Sequence, residues 1–207
     1  MATVKTLTFN ESAGVSGQGG WTSFWDYEPS EVFSMRGRYY TTNGYKLYEH
    51  YSAASTIGNF YGTQYSSEVT LILNDNPSVS KNFQTVNYEG SNGWQVDYVY
   101  TDEYTPTTFS TNSLKDSAAM IKSYSEGRYI EGGVEYRVGF NRKENKYHAN
   151  LVNNVVIKRE GEVINGAQMS GIKGVYAEIK LSTDDTTDLG GAKQLFAVSS
   201  KYVVSSY

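Results

Sequence analysis

The sequence predicts an all-β fold, an antiparallel β-sandwich or barrel-like domain built from hairpins with at most one short helix. Three observations carry this. The 207 residues include 19 tyrosines and 20 glycines but three prolines, a composition suited to pleated, half-buried surfaces joined by turns. Apolar residues recur with period two in several segments. Turn-forming pairs such as Asn43-Gly44 and Asn92-Gly93 fall between those segments.

The segments can be read in order. The N-terminal MATVKTLTF alternates apolar and polar residues and lacks the long apolar run of a signal peptide. It leads into the glycine-rich GVSGQGG, Gly14 to Gly20, and residues 1–19 read as a strand followed by a connector. Residues 20–207 read as one β-rich domain, with a soft boundary at 102–114 in the unpatterned DEYTPTTFSTNSL. In EVTLILN, Val69, Leu71 and Leu73 face one way and Thr70 and Ile72 the other, so both faces are expected to be covered. In WQVDYVY, Trp94, Val96, Tyr98 and Tyr100 share a face opposite Gln95, Asp97 and Val99. VEYRVGF and VYAEIKL alternate as strands with one wet side. Asn43-Gly44 is expected to supply the two positive φ angles of a type I′ hairpin, and Asn92-Gly93 is read in the same manner. Asn74-Asp75-Asn76-Pro77 closes EVTLILN, because proline cannot continue a central strand. A short helix from about Ser113 competes with a strand that begins near Ile121.

Composition excludes several functions. There is no cysteine, which removes disulfides, thiolate metal sites and cysteine nucleophiles and fits a reducing cytoplasm. The net charge is −4, from 18 basic and 22 acidic residues that are well mixed, so no basic stripe suits sequence-specific nucleic-acid binding. No stretch is long and apolar enough to span a membrane as a helix. The two histidines, His50 and His148, have no metal-ligand spacing and read as strand-edge or surface residues. GVSGQGG fails as a nucleophile elbow, because Gln18 stands where the second glycine is needed. It fails as a phosphate loop, because Trp21 follows Gly20. STDDTTD, Ser182 to Asp188, gathers oxygen donors without the spacing of a calcium loop and reads as a solvated turn. These observations single out no catalytic residue, metal or cofactor; a hydrolase would need a buried pair of carboxylates, which the acidic residues leave open, but the chain is expected not to be an enzyme.

The stretch GWTSFWDYEPSEVFSMRGRYYTTNGYKLYEH, Gly20 to His50, is rich in aromatics. A subunit interface, a sugar-binding cleft and a β-rich core all accommodate them. Trp21, Phe24, Trp25 and Tyr27 are the candidate assembly residues, because they follow a glycine-rich connector and because aromatic side chains dominate interface cores.

Four stretches together resemble a family of tailed-bacteriophage virion structural proteins, of the tail or neck, seen in marine, cyanobacterial and crAss-like phages. They are GWTSFWDYEPSEVFSMRGRYYTTNGYKLYEHYS; GNFYGTQYSSEVTLILNDNPSVSKNFQTVNYEGSNGWQV; FNRKENKYHANLV; and MSGIKGVYAEIKL with LFAVSSKY. The resemblance implies a structural protein made in the host bacterial cytoplasm and built into the virion tail or neck. Its partners would be copies of itself, in a homo-oligomer or ring, and neighbouring virion proteins. A carbohydrate- or receptor-binding tail module is the alternative that the same aromatics allow.

Overall fold

The computed structural model describes residues 6–13, 19–102, 121–124, 129–131, 134–136, 139–151, 171–184, 187 and 190–205. They form seventeen β-strands and no α-helix, as the composition predicts. The chain divides into two compact units, Met1–Tyr65 and Ser66–Tyr207. Apart from Asp102, the stretch 102–114 lies outside the described residues, as do the proposed helix start at Ser113 and Gly14 to Gln18 of the connector.

The second unit is a two-sheet sandwich. One sheet has the order β10 (Trp94–Thr101), β16 (Ala177–Thr183), β8 (Glu68–Leu73). The other centres on the ten-residue β9 (Lys81–Gly90). Strand β17 (Leu195–Val204) pairs along one edge of β9, while β14 (Lys146–Asn150) and β15 (Ile172–Gly174) share the other. Strand β13 (Asn141–Lys143) flanks β14. Phe83, Val86 and Tyr88 from β9 meet Val96, Ile179 and Leu181 from the other sheet in one buried core. A short hairpin, β11 (Tyr129–Glu131) with β12 (Val134–Tyr136), completes the unit.

VYAEIKL behaves as its alternation predicts: Ala177, Ile179 and Leu181 are all fully buried. Two neighbouring readings need correction. WQVDYVY does not keep one phase, because the pairing of β10 with β16 slips between Val96 and Tyr98. A bulge adds one residue and exchanges the two faces beyond it. Val99 and Thr101 are therefore buried with Trp94 and Val96, while Tyr98 turns outward and donates its hydroxyl to Glu178 Oε1 at 2.7 Å. EVTLILN is covered on one face only: β8 is an edge strand, and Ile72 is 65% exposed.

The turns also differ in detail. In the first unit, β3 (Glu31–Met35), β4 (Arg38–Asn43) and β5 (Lys46–Glu49) form a meander. Asn43 pairs with Lys46, so the loop is Gly44-Tyr45 and Gly44 alone has positive φ, +58°. That is the pattern of a type II′ turn, one residue later than expected. The type I′ pattern occurs at Arg36-Gly37, where both φ values are positive, and again at Tyr61-Gly62 between β6 (Asn59–Phe60) and β7 (Thr63–Gln64). Asn92-Gly93 is not a hairpin: it carries the chain from β9 to β10, which lie in different sheets. Asp184 is buried rather than solvated, because its Oδ2 accepts hydrogen bonds from the Ser123 amide and hydroxyl. Asn74–Pro77 does end β8. Beyond it the fully buried Lys81 donates to the Asn76 and Val79 carbonyls, tying the loop to the start of β9.

Candidate assembly surface

The first unit places the four candidate residues on two different faces. Strand β1 (Thr6–Asn10) pairs antiparallel with β2 (Gly20–Trp25). Leu7 lies opposite Phe24 and Phe9 opposite Trp21, with a register slip between Thr8 and Phe9. In an unbroken strand, Trp21 and Phe24 would point to opposite faces, since they are an odd number of residues apart. The slip adds Thr22 to β2 and brings both onto the face shared by Leu7 and Phe9. The result is an apolar face of four large side chains, with Trp21 61% and Phe24 65% exposed. Trp21 and Phe9 meet edge to face with ring centroids 5.2 Å apart.

Trp25 and Tyr27 go the other way. The Trp25 indole donates to Thr8 Oγ1 at 2.7 Å, and its ring meets Phe60 edge to face. Tyr27 is buried and stacks on Phe60 at 4.5 Å. Around it lie Tyr39, His50 and Tyr61, so the unit is held by aromatic contacts rather than by an aliphatic core. Such rings bury large area while their polar tips find partners. Burial, reinforced by a hydrogen bond with Tyr39, pushes the Tyr27 hydroxyl well above the usual tyrosine range. Burial likewise raises Tyr61.

His50, just past the end of β5 as its strand-edge reading expects, is half-buried in this cluster. Its Nε2 sits 2.7 Å from the buried Thr41 hydroxyl, which is also 2.8 Å from the Tyr61 hydroxyl. Burial lowers the imidazole pKa and favours the neutral ring. A hydroxyl chain of this kind fixes side-chain orientation, and among the described residues no carboxylate is bonded to it.

Several clefts border the cluster, and the most aromatic of them opens beside Phe60 and Tyr61. It encloses about 440 Å³, and Trp25, Tyr48, Tyr51, Phe60 and Tyr61 line it together with Ser52 and Asn59. The sequence offered no means of foreseeing it, because its walls come from β2, β5 and the loop before β6. Among the described residues, no group of three or more histidines and carboxylates could hold a metal ion. Among them also, no helix is long and apolar enough to cross a membrane, which says nothing of β-barrels.

Residues 55–154 match the family model of the Crassvirus muzzle protein C-terminal domain. The match starts before β6 and runs past β14, so it takes in the second and third stretches that carried the resemblance in the sequence. That family is a virion structural family of crAss-like phages. No curated protein matches the chain.

Proposed function

We propose, from this kinship with a virion structural family, that the chain is a component of the phage tail or neck that acts through protein–protein contacts and not through catalysis. The observation that carries the reading is the apolar face of the β1–β2 ribbon. Leu7, Phe9, Trp21 and Phe24 stand together there, each about half exposed or more. Contiguous apolar surface of this kind marks interaction sites, and a bulge that gathers four large residues on the outer face is a local feature kept at some cost in pairing. The occupant is a neighbouring subunit, a second copy of this chain or an adjoining virion protein. A ring requires such a head-to-tail contact between unlike surfaces.

The experiment is a joint replacement, Trp21→Ser with Phe24→Ser. Both side chains are exposed, so the monomer should keep its melting temperature. Its oligomer mass by light scattering should fall, and particles should fail to incorporate it. Trp25→Ala provides the contrast, because Trp25 supports the internal cluster and its loss should unfold the first unit. Normal incorporation of the double variant would refute the reading.

A further inference from the structure

We infer that the cleft beside the aromatic cluster of the first unit is a saccharide-binding site, with Tyr51 presented at its mouth to stack on a sugar ring. The inference goes beyond the assembly role and does not depend on it. It rests on the backbone at Tyr51, the chemistry of the walls and the charge of the lining.

Tyr51 has φ +59° and is 79% exposed. A bulky non-glycine residue in the left-handed region is an outlier whose backbone is strained. Glycine or asparagine would adopt this backbone with less strain. Tyr61, which lines the same cleft, is also left-handed, at φ +54°. Its case has an internal explanation: the ring packs on Tyr48 and Tyr27, and its hydroxyl meets Thr41. Tyr51 has little of this. Among the described residues its close ring is Tyr39, tilted at 6.3 Å, and most of its surface faces solvent. A strained position that holds an exposed aromatic ring at a cleft makes sense where the ring serves a ligand.

The walls indicate which ligand. Trp25, Tyr48, Phe60 and Tyr61 supply aromatic surface, while Ser52, Ser55, Thr56 and Asn59 supply neutral donors and acceptors. The C–H face of a pyranose is weakly electropositive and stacks on the electron-rich face of an aromatic ring. Its hydroxyls need paired donors and acceptors of the kind serine, threonine and asparagine offer. Glu49 is the charged residue in the lining, and neither lysine nor arginine contributes to it. The Glu49 carboxylate is paired with Arg38 Nη1 at 2.7 Å, so the lining is close to neutral and offers no free cation to a phosphate-bearing or nucleic-acid ligand. A volume of about 440 Å³ suits one or two sugar rings.

The test titrates the whole protein with neutral oligosaccharides, namely chitotetraose, maltotetraose, cellotetraose and mannotetraose. Tryptophan emission, to which Trp25 contributes from the cleft wall, gives one readout, and saturation-transfer NMR on the sugar protons gives another. At least one sugar should bind saturably, and Tyr51→Gly should weaken it by about tenfold or more. The same variant relieves the left-handed backbone, so its melting temperature should hold or rise. Affinity and stability thus move in opposite directions, which a purely structural tyrosine would not produce. Three results would each overturn the inference. They are no binding of any of the four sugars at about 10 mM, an unchanged affinity in Tyr51→Gly, and capture of a proline-rich peptide in the cleft without any sugar.

Discussion

Replacing Val99 by alanine should destabilise the second unit far more than the tyrosine beside it would lead one to expect. Strict alternation from Trp94 puts Tyr98 in the core and Val99 outside. The bulge in β10 reverses this, and Val99 has no exposed surface. Val99→Ala removes two buried methyl groups, worth about 0.8 kcal/mol each in transfer free energy. The core is shared by two sheets and collapses only in part, so a residual cavity of about 50 Å³ adds roughly 1 kcal/mol. The expected loss is about 2.5–3 kcal/mol, a drop of roughly 10 °C in melting temperature for a unit of this size. Tyr98→Ala instead removes a half-exposed ring and the bond to Glu178, for about 1 kcal/mol. The assay is urea unfolding followed through Trp94, which sits on the same strand, in a Trp21→Phe, Trp25→Phe background. An alanine at position 99 that costs less than about 0.5 kcal/mol, with the larger loss at position 98, would show that the strand keeps its alternation.

Two further outcomes follow from the first unit. Gly44→Val should cost about 1–2 kcal/mol through the left-handed backbone alone, because a Cβ there meets nothing within 4 Å; Gly44→Asn should cost much less, and equal denaturation midpoints for all three proteins would contradict the turn. Burial lowers the pKa of His50, so the unfolded chain takes up a proton near its ordinary value of about 6.5 while the folded unit lags behind. Stability should therefore be full above that value, fall as the pH drops through it, and level off once the pH is below the folded pKa. His50→Phe should flatten this dependence in thermal melts, and an unchanged pH profile would mean that the ring is not buried.

The fold class was legible in the sequence because composition and period-two alternation are read residue by residue. VYAEIKL could be placed correctly because its pairing on β8 runs without a break from Ala177 to Ser182, and the extra residue of the β10 pairing lies on the β10 side, at Asp97. WQVDYVY could not, since a bulge depends on the partner strand and leaves no mark on apolar spacing. The same physics hid the candidate surface. Alternation groups Trp21 with Trp25, and only the slip opposite Thr8 separates them and joins Trp21 to Phe24. Arg36-Gly37 and Tyr61-Gly62 escaped notice as hairpin turns because arginine and tyrosine are poor residues for positive φ. His50 read as a strand-edge or surface residue and Asp184 as a solvated one because a lone polar side chain does not announce its distant partners, Thr41 and Ser123.

The pairing of β9 with β17 has a consequence for how the chain is made. Tyr202 lies opposite Phe83 and Leu195 opposite Gly90, so every rung of this ladder joins residues more than a hundred positions apart. Contacts this distant in sequence slow folding, because the loop entropy is lost before the ladder forms. On the ribosome, β9 emerges and then waits about 5–20 s while the residues up to β17 are added. During that interval one edge of the longest sheet is open, with Phe83, Val86 and Tyr88 not yet enclosed. Nascent chains crowded on one message would therefore be vulnerable to pairing with each other, and slow growth at low temperature should raise the soluble yield more than it does for proteins closed by local hairpins.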